Sequence, residues 1–453
     1  MYSKIYSRFI YPFYEGVLRG RKTFTLLRED EANQWRSLAA LKEMQWAKLQ
    51  KLMVHAYTHV PFYRSQFDRA GVTPLDLKSA ADLKGFPFLT KKDIQENQEA
   101  LLASNYHQTP LFSSWTGGST GAPIKFKYDR HSYECRVAAS ARADRWSGWE
   151  FGAKELYIWG VRHTTDAWVT RCKKKIHQQL LRRKVFNSYT FSSSTLPGYV
   201  RELNAYKPDI IVAYAGALAT LAQFAKERGL RCHSPKAVIV TAEQTFPEQR
   251  ALIEEVFQAP VFNRYGSREF MIIGMECDRH DGFHLNIDNQ VVEVLKDGMP
   301  VAPGEIGELV ITDLNNYAMP FIRYKIGDLG VLADSACSCG RGLPLLKRVE
   351  GRVMDALKTR DGRCITGLFF THLMREFEGV RQFRVTQKTY DLVEVEIVRS
   401  NTFDEGCLQR LRQEIVLAMG VEVKFLLVPK IEPLPSGKLR ITFSELPADF
   451  RNS

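Results

Sequence analysis

Short apolar segments rich in β-branched residues alternate with helical segments in the middle of the chain, and this alternation constrains the fold more than any other sequence feature. The apolar runs at residues 209–213 and 237–241 precede stretches with helical patterns at 217–228 and 247–257. Such alternation is typical of parallel strands joined by crossover helices. The chain has 453 residues, 45% of them hydrophobic, which is enough for a large core and for more than one folded unit.

Two flanking regions have other patterns. Apolar residues recur at helical spacing from residue 29 to about residue 56, which predicts one long amphipathic helix that Pro61 helps to end. Residues 291–295 and 307–312 are strand-like and are separated by a turn rich in Gly and Pro at 296–304. This pattern predicts an antiparallel or barrel-like layer.

The last hundred or so residues form a separate pattern. Strand, helix and strand signals follow Gly351 and Arg352, at residues 382–386, 393–398, 408–419 and 421–427. A small α+β domain is the economical interpretation. We therefore predict an N-terminal domain at residues 1–350 and a C-terminal domain at residues 351–453.

The N-terminal 27 residues mix aromatic and basic side chains and contain no uninterrupted apolar core before a small-residue cleavage site, so we predict no secretory signal. The longest uncharged stretch, residues 210–225, is short for a bilayer span of about 20 residues. Eight cysteines spread through such a chain do not indicate a disulfide framework. We expect a cytoplasmic protein with a plain N-terminal helix packed on its body, and peripheral membrane contact of that helix is the alternative.

The net charge of +12 favours anionic partners in general. A basic stretch at residues 171–184 is interpreted as a solvated helix face, and a site for the phosphates of coenzyme A or for an acidic glycan is the alternative. Because no nucleic-acid motif accompanies this stretch, we expect no nucleic-acid partner.

Residues 113–123 read Ser-Ser-Trp-Thr-Gly-Gly-Ser-Thr-Gly-Ala-Pro and are the most informative segment for chemistry. Three glycines allow close approach of the backbone to a ligand, while hydroxyls and N–H groups supply donors to phosphate oxygens. The segment lacks the Gly-Lys-Ser/Thr ending of a Walker loop. It indicates either a phosphate-binding loop or a flexible turn rich in hydroxyls.

Three other segments contain residue types that a nucleotide site needs. Tyr265 beside Gly266 can offer its ring to a purine, and a carboxylate near this segment can hold the Mg²⁺ that accompanies ATP. Asp328 is predicted to lie on a turn where it could accept both ribose hydroxyls, and Lys438 is predicted to lie on a basic turn that could enter a site. Each segment alone is also explained by an ordinary surface turn.

Together and in this order, these segments resemble the adenylate-forming superfamily of acyl-CoA synthetases, adenylation domains and luciferases, most closely its phenylacetate-CoA ligase and CapK-like branch. The resemblance covers nearly the whole chain. It rests on residues 55–63, the loop at 116–121, the segment Tyr265 to Glu269, residues 315–328, Gly351-Arg352 and Gly437-Lys438.

The resemblance implies an α/β fold class, with a large N-terminal multi-sheet α/β domain that includes a β-barrel-like layer and a small C-terminal α+β lid. It places a hinge near residues 351–355 and a rotation of the lid between two half-reactions. Two departures bear on these expectations. Ala122 stands where many relatives have a lysine, which leaves Lys125 or Lys127 as substitutes, and Met354 stands at a hinge position that is polar in others.

The resemblance also implies a role for each motif residue. Ser119, Thr120 and their glycines would hold the ATP phosphates, and Lys438 would bridge the carboxylate and the α-phosphate. Glu269 would bind Mg²⁺. The implied catalytic residues are Lys438, Glu269 and Thr120. The implied cofactor-binding residues run from the phosphate loop through the adenine pocket and the ribose site to the hinge. They are Thr116, Gly117, Gly118, Ser119, Gly121, Ala242, Glu243, Tyr265, Gly266, Ser267, Asp328 and Arg352.

The implied activity is that of an AMP-forming ligase. Such an enzyme uses ATP and Mg²⁺ to convert a carboxylic acid into its acyl-adenylate, then transfers the acyl group to a thiol such as coenzyme A, an amine or a hydroxyl. The acid is an aryl or other small acid, or a uronic acid connected with polysaccharide synthesis. The alternatives are an adenylyltransferase that places AMP on a cofactor hydroxyl and a non-catalytic nucleotide-binding relative; a homodimer is left open.

A second constellation suggests a metal site. Cys337-Ser338-Cys339-Gly340 lies about sixty residues after Cys277, and with a histidine these thiols suit tetrahedral Zn²⁺. The Cys-X-Cys spacing is shorter than in common zinc fingers, so ordinary reduced cysteines are the alternative. The resemblance to members of the same branch that have similar elements around zinc favours Cys277, His284, Cys337 and Cys339, with His280 as the alternative fourth ligand. Four protein ligands leave no open coordination position, so the predicted role is structural.

Overall fold

A computed structural model describes residues 5–116, 124–160, 178–352, 357–360, 364–365, 369–370, 373–374, 377, 379–401, 403–432 and 441–446. The helices in these ranges are α1 (Thr23–Asn33), α2 (Leu38–His59), α3 (Pro61–Ala70), α4 (Lys91–Glu96), α5 (Arg130–Arg145), α6 (Leu196–Tyr206), α7 (Ala215–Glu227), α8 (Pro247–Phe257) and α9 (Cys407–Met419).

The strands are β1 (Phe112–Trp115), β2 (Lys125–Tyr128), β3 (Glu155–Trp159), β4 (Arg183–Asn187), β5 (Ile210–Tyr214), β6 (Ala237–Thr241), β7 (Val261–Tyr265), β8 (Gly274–Glu276), β9 (Phe283–Leu285), β10 (Gln290–Lys296), β11 (Met299–Pro300), β12 (Ile306–Asp313), β13 (Tyr324–Leu332), β14 (Leu345–Arg352), β15 (Leu357–Lys358), β16 (Cys364–Ile365), β17 (Val380–Gln387), β18 (Leu392–Arg399), β19 (Glu422–Leu427) and β20 (Thr442–Ser444). Over the described ranges, twelve of them form one sheet in the order β11-β10-β12-β13-β14-β9-β8-β7-β6-β5-β3-β4.

One half of this sheet is parallel. β4, β3, β5, β6 and β7 all run in the same direction, and α7 and α8 provide the crossovers from β5 to β6 and from β6 to β7. β5 and β6 are buried along their whole length because helices cover the sheet, and Leu218 and Leu221 of α7 pack in the same cluster as Val240. The predicted alternation of parallel strands and helices is confirmed.

The other half is antiparallel. β10 pairs with β12 from Gln290 opposite Asp313 to Leu295 opposite Glu308, as the sequence predicts for two strands joined by a turn. β8 and β9 connect this half to β7, so the antiparallel layer is hydrogen-bonded to the parallel strands in a single sheet. The predicted α/β class is confirmed.

The prediction of one helix across residues 29–56 is wrong. The chain forms α1 and α2, which are separated at residues 34–37, and Ser37 caps α2 by accepting a hydrogen bond from the Ala40 N–H. A tertiary contact stabilises the break, because the N–H of Gly342 donates to the Gln34 carbonyl at 2.9 Å. The apolar periodicity continues through the break, which explains why the sequence did not predict it.

The C-terminal residues build a small sheet in the order β19-β18-β17-β20. α9 buries Leu411 and Ile415 against Val385, Val395 and Ile397 of this sheet. The strands and the helix predicted after residue 380 are confirmed, and the domain boundary at residue 351 stays a prediction.

The basic stretch has the expected form only in part where it is described: residues 178–180 are helical and exposed, but the basic residues after them are not in that helix. Residues 171–177 lie outside the described residues, while Arg183 and Lys184 belong to the edge strand β4. Arg183 donates to Glu155 at 2.7 Å, and Lys184 pairs with Glu202 at 2.6 Å. These two side chains are therefore neutralised at a sheet edge and do not form a solvated helix face. No described helix combines the length and the apolar character that crossing a bilayer requires.

Candidate active site

The carboxyl ends of the parallel strands meet at one edge of the sheet. Trp159, Tyr214, Thr241 and Tyr265 are the last residues of β3, β5, β6 and β7. Ligands in open α/β sheets bind beyond the carboxyl ends of the strands, where the loops have freedom to form a crevice. Several of the side chains predicted for nucleotide binding follow these ends directly.

Tyr265 and Asp328 come together across the sheet. The hydroxyl of Tyr265 donates to Asp328 Oδ2 at 2.7 Å. Asp328 does not lie on a turn, as the sequence predicts, but within β13, directly opposite Arg352 of β14. The side chain of Arg352 lies outside the described part of the chain. The predicted ribose and adenine residues thus lie next to each other, and the backbone of the predicted hinge arginine is beside them.

Glu269 lies in the turn after β7 and is buried, with a relative exposure of 5%. Its Oε1 accepts a 3.3 Å hydrogen bond from the hydroxyl of Tyr324, at the start of β13. This contact joins the turn after β7 to β13, the strand that contains Asp328. Glu269 is a carboxylate of the type that holds Mg²⁺ beside ATP phosphates.

The turn itself requires Gly266. A Cβ at this position would lie 2.2 Å from the carbonyl oxygen of Met271, which is closer than any real contact. The Met271 N–H donates to the Ser267 carbonyl at 2.7 Å, and Met271 has a positive φ of 65°. This tight backbone fixes the positions of Tyr265 and Glu269 relative to each other.

Ala242 and Glu243 follow β6 at the same edge. Ala242 has a φ of 68°, a conformation that is uncommon for a residue with a side chain and that clusters at functional sites. Glu243 accepts a hydrogen bond from the N–H of Gly216, 2.8 Å away in the first turn of α7. A carboxylate at a helix N-terminus is stabilised by the helix dipole, so this contact anchors the segment predicted to line the adenine.

The predicted phosphate loop begins beside this group. Thr116 closes the β1–β2 hairpin, because its N–H donates to the Ile124 carbonyl at 3.0 Å and its hydroxyl accepts from the Ile124 N–H at 3.2 Å. Arg268 donates a long hydrogen bond of 3.4 Å to the carbonyl of Trp115. The base of the loop therefore contacts the turn that contains Glu269. The other predicted site residues lie outside the described ranges: Gly117, Gly118, Ser119, Thr120, Gly121 and Lys438. Ala122 and Met354 also lie outside them.

Sequence reasoning missed an aromatic group at the same edge. The rings of Trp159 and Tyr214 are 4.3 Å apart between centroids, and the ring of Tyr189 packs so closely on Gly160 that a Cβ there would lie 2.4 Å from it. Burial raises the pKa of Tyr214 to about 12, with Tyr189 and Glu243 contributing, so its phenol stays neutral. Trp159 and Tyr214 are the last residues of buried strands, and this position was the signal that could have identified them in the sequence.

Cys277, His284, Cys337 and Cys339 form a second, separate group. One ligand atom from each lies within 4.8 Å of the others. The Cys277 and Cys337 sulfurs are 3.6 Å apart, close to the edge of about 3.8 Å for a tetrahedron with Zn–S bonds of about 2.3 Å. Cys339 Sγ is 3.3 Å from His284 Nε2, and His284 Nδ1 is 3.3 Å from the Leu343 carbonyl.

This arrangement favours one histidine over the other. The contact between Nδ1 and a carbonyl places the proton on Nδ1 and leaves Nε2 free to bind a metal, and burial lowers the pKa of His284 to about 4, so the ring is neutral. His280 instead contacts Glu276 at 3.1 Å and Arg250 at 3.2 Å. Three sulfurs and one neutral imidazole fit structural Zn²⁺.

The fold just described is similar to that of a solved acyl-CoA ligase. A crystal structure of 2-hydroxyisobutyryl-CoA ligase in the postadenylation state, in complex with 2-HIB-AMP, matches with a TM-score of 0.72, 22% identity and 92% of both chains covered. Residues 357–445 match the model of the CapK C-terminal domain.

The sequence relatives agree. Protein CapK of Staphylococcus aureus is 23% identical over 448 residues, which are 95% of each chain. A phenylacetate-coenzyme A ligase of Thermus thermophilus is 27% identical over 329 residues, 71% of this chain and 72% of the relative. The protein is thus a homologue of CapK and of the phenylacetate-CoA ligases, as the sequence motifs indicated.

Proposed function

We propose that this protein is an ATP-dependent, AMP-forming ligase that activates a carboxylic acid as its acyl-adenylate. The observation that carries the proposal is the pair of contacts between the β7 turn and β13, Tyr265 to Asp328 and Glu269 to Tyr324. These contacts bring three groups to the carboxyl edge of the parallel strands: an aromatic ring, a carboxylate that could accept hydrogen bonds from ribose, and a carboxylate that could bind a metal ion. The relatives named as phenylacetate-CoA ligases support the same class of reaction.

The first half-reaction joins two anions. A carboxylate oxygen of the acid attacks the α-phosphorus of ATP, the bond to the bridging oxygen breaks and pyrophosphate leaves. Asp328 would accept the ribose hydroxyls and the phosphate loop would fix the triphosphate, so that the α-phosphorus is positioned for attack. Glu269 would hold Mg²⁺, which when bound neutralises charge on the phosphates.

Lys438 would supply positive charge between the carboxylate and the α-phosphate during this step. In the second half-reaction an acceptor attacks the activated carbonyl, and AMP leaves with the electron pair of the broken acyl–phosphate bond. We propose coenzyme A or another thiol as the acceptor, in line with the CoA ligases among the relatives. The lid, which we place at residues 351–453, would deliver Lys438 for the first step only.

The aromatic group of Trp159, Tyr214 and Tyr189 is our candidate wall for the acid. It lies next to Glu243, and flat aromatic faces pack well against an aryl ring or the apolar face of a sugar ring. The acid to be tested is therefore an aryl acid, a small hydroxy acid or a uronic acid. The uronic acids follow from the similarity to CapK and from the proposed link to polysaccharide synthesis.

Release of pyrophosphate with a panel of these acids tests the function. We expect at least one acid to stimulate release, with free AMP appearing when a thiol acceptor is added. Glu269→Gln keeps the shape of the side chain but removes the charge, and should lower the rate by about a hundredfold or more. Glu254→Gln on α8 is a matched control, since among the described residues that carboxylate accepts a hydrogen bond from the Val261 N–H, away from the proposed site.

Three outcomes would contradict the proposal. Without stimulation by any acid of a broad panel, the ligase assignment fails. A product that retains the mass of AMP would indicate the adenylyltransferase alternative. Unchanged ATP consumption in Glu269→Gln would remove that residue from the site.

We further propose that Cys277, His284, Cys337 and Cys339 bind a structural Zn²⁺. The support is the donor set and its spacing together with the location of the cluster. Cys339 and Leu343 flank Gly342, which hydrogen-bonds to Gln34 at the break between α1 and α2. A metal here would fix the loop that holds this break.

A further inference from the structure

The N-terminal segment, residues 5–22, exposes an apolar strip. Its helical turns run through Tyr6–Ile10 and Phe13–Leu18. Phe9, Phe13 and Val17 recur every fourth residue with relative exposures of 64%, 55% and 67%, and the side chains of Ile5 and Ile10 are also exposed. Contiguous exposed apolar side chains of this kind mark a site of interaction with a protein or a membrane.

The opposite side of the segment is firmly packed. Tyr6 and Tyr11 are buried, and the ring of Tyr11 stacks on Phe151 with centroids 4.5 Å apart and meets Phe24 edge-on at 5.4 Å. The segment that contains the exposed strip is therefore packed against the rest of the protein through its other side. The exposed side chains are not core residues that have lost their packing.

The exposed charges described within the segment itself all have one sign. Glu15 is the single acidic residue among residues 1–27, and it is buried in an ion pair with Arg21 at 3.2 Å. Arg8, Arg19 and Lys22 are exposed. The outer surface of the segment thus combines apolar and basic side chains and has no exposed acid.

We propose that this segment docks the protein onto an anionic lipid bilayer. Phe9, Phe13 and Val17 would enter the boundary between headgroups and acyl chains, and Arg8 and Lys22 would contact the lipid phosphates. A second copy of the chain does not fit as well, because two such surfaces would bring basic residues of like charge together. This inference does not depend on the proposed ligase activity.

Sedimentation of the full-length protein with vesicles tests the proposal. We expect binding to phosphatidylcholine vesicles that contain roughly one-third phosphatidylglycerol, and much weaker binding to phosphatidylcholine alone. The double variant Phe9→Ser, Phe13→Ser should reduce the partition coefficient by about tenfold or more, because each phenylalanine loses an apolar environment. The variant Arg8→Gln, Lys22→Gln should reduce binding to anionic vesicles only, and added salt should mimic it.

Matched controls come from exposed positions elsewhere. Two double variants remove the same kinds of side chain from other surfaces: Leu75→Ser with Leu417→Ser, and Lys78→Gln with Lys84→Gln. Both should bind to vesicles like the wild type. Circular dichroism and thermal unfolding establish that each variant is folded.

The proposal is overturned if the wild type does not sediment with anionic vesicles, or if Phe9→Ser, Phe13→Ser sediments as well as the wild type. A wild-type dimer that this variant dissociates, with no vesicle binding, would assign the strip to a second copy.

Discussion

The hydroxyl of Tyr265 donates a 2.7 Å hydrogen bond to Asp328, a residue 63 positions further along the chain. Tyr265 ends a parallel strand, and Asp328 lies within an antiparallel one. The contact therefore links the two halves of the twelve-stranded sheet, at the edge where we propose that ATP binds.

Tyr265→Phe should weaken ATP binding, because the ring remains while the hydrogen bond to the carboxylate is lost. Such a bond contributes about 1.5–3 kcal/mol, so we expect the KM for ATP to rise about tenfold or more with a smaller change in kcat. Tyr57→Phe removes a similar bond, 2.8 Å to Asp68, from an exposed surface and should leave both constants unchanged. An unaltered KM in Tyr265→Phe would argue against the adenosine site.

Gly266→Ala should disrupt the turn that contains Glu269. The added Cβ would meet the Met271 carbonyl at 2.2 Å, and a clash with backbone cannot be relieved by a rotamer change. We expect a loss of about 1–3 kcal/mol in the free energy of unfolding and a loss of ATP binding. Gly85→Ala meets nothing within 4 Å and serves as the control. Normal urea unfolding and normal nucleotide binding in Gly266→Ala would contradict this description of the turn.

Lys438→Ala should separate the two half-reactions. Formation of the acyl-adenylate, measured by pyrophosphate release, should slow about a hundredfold or more, because one preorganised positive donor is removed. Transfer from a chemically prepared acyl-adenylate to the acceptor should change little. Lys430→Ala, on the same part of the chain and paired with Glu432, should behave like the wild type. Equal effects on both steps would refute a role restricted to adenylation.

His284→Gln should lose zinc and His280→Gln should keep it. Cys277→Ser should behave like His284→Gln, whereas Cys232→Ser, a free cysteine that is not in the cluster, should retain the metal. Loss of the metal should lower the free energy of unfolding by more than about 2 kcal/mol. Elemental analysis together with urea unfolding measures both effects, and wild-type protein without near-stoichiometric zinc would contradict the proposal.

Asp30 should make stability depend on pH. Burial, followed by the charge of Asp288, raises the pKa of Asp30 to about 8, and the fully buried Arg142 binds Asp288 at 2.7 Å. Folding therefore takes up a proton between the unfolded pKa near 4 and the folded pKa near 8, and the stability present at low pH is lost as the pH rises through this window.

The expected slope is a loss of about 1.4 kcal/mol per pH unit over this range from this one group. Asp30→Asn resembles the protonated acid and should remove this contribution, so that the difference between variant and wild type grows from pH 5.5 to pH 7.5 by roughly 2.5 kcal/mol. Asp68→Asn at the protein surface is the control, and urea unfolding at several pH values is the measurement. Parallel stability curves for Asp30→Asn and the wild type would refute the raised pKa.

Much of the fold could be predicted because the relevant patterns are local. The β-branched runs of β5 and β6, and the helical spacing of α7 and α8, depend on which side chains face the core within one element. The motifs at Tyr265 and Asp328 were recognisable for the same reason, since each lies within a few consecutive residues. The similarity to CapK and the phenylacetate-CoA ligases was predicted from these motifs and confirmed.

The tertiary structure decided what depends on distant neighbours. The break between α1 and α2 follows from the contact of Gln34 with Gly342, and periodicity within the helices does not encode it. The sequence identified Cys277 and Cys339 as candidate zinc ligands but did not decide which of two histidines is the fourth ligand. The folded chain brings His284 to the thiols, whereas His280 pairs with Glu276. Strand order determines such neighbours, because it brings segments tens of residues apart to one edge of a sheet, whereas a residue pattern records only the burial and backbone preference of its own segment.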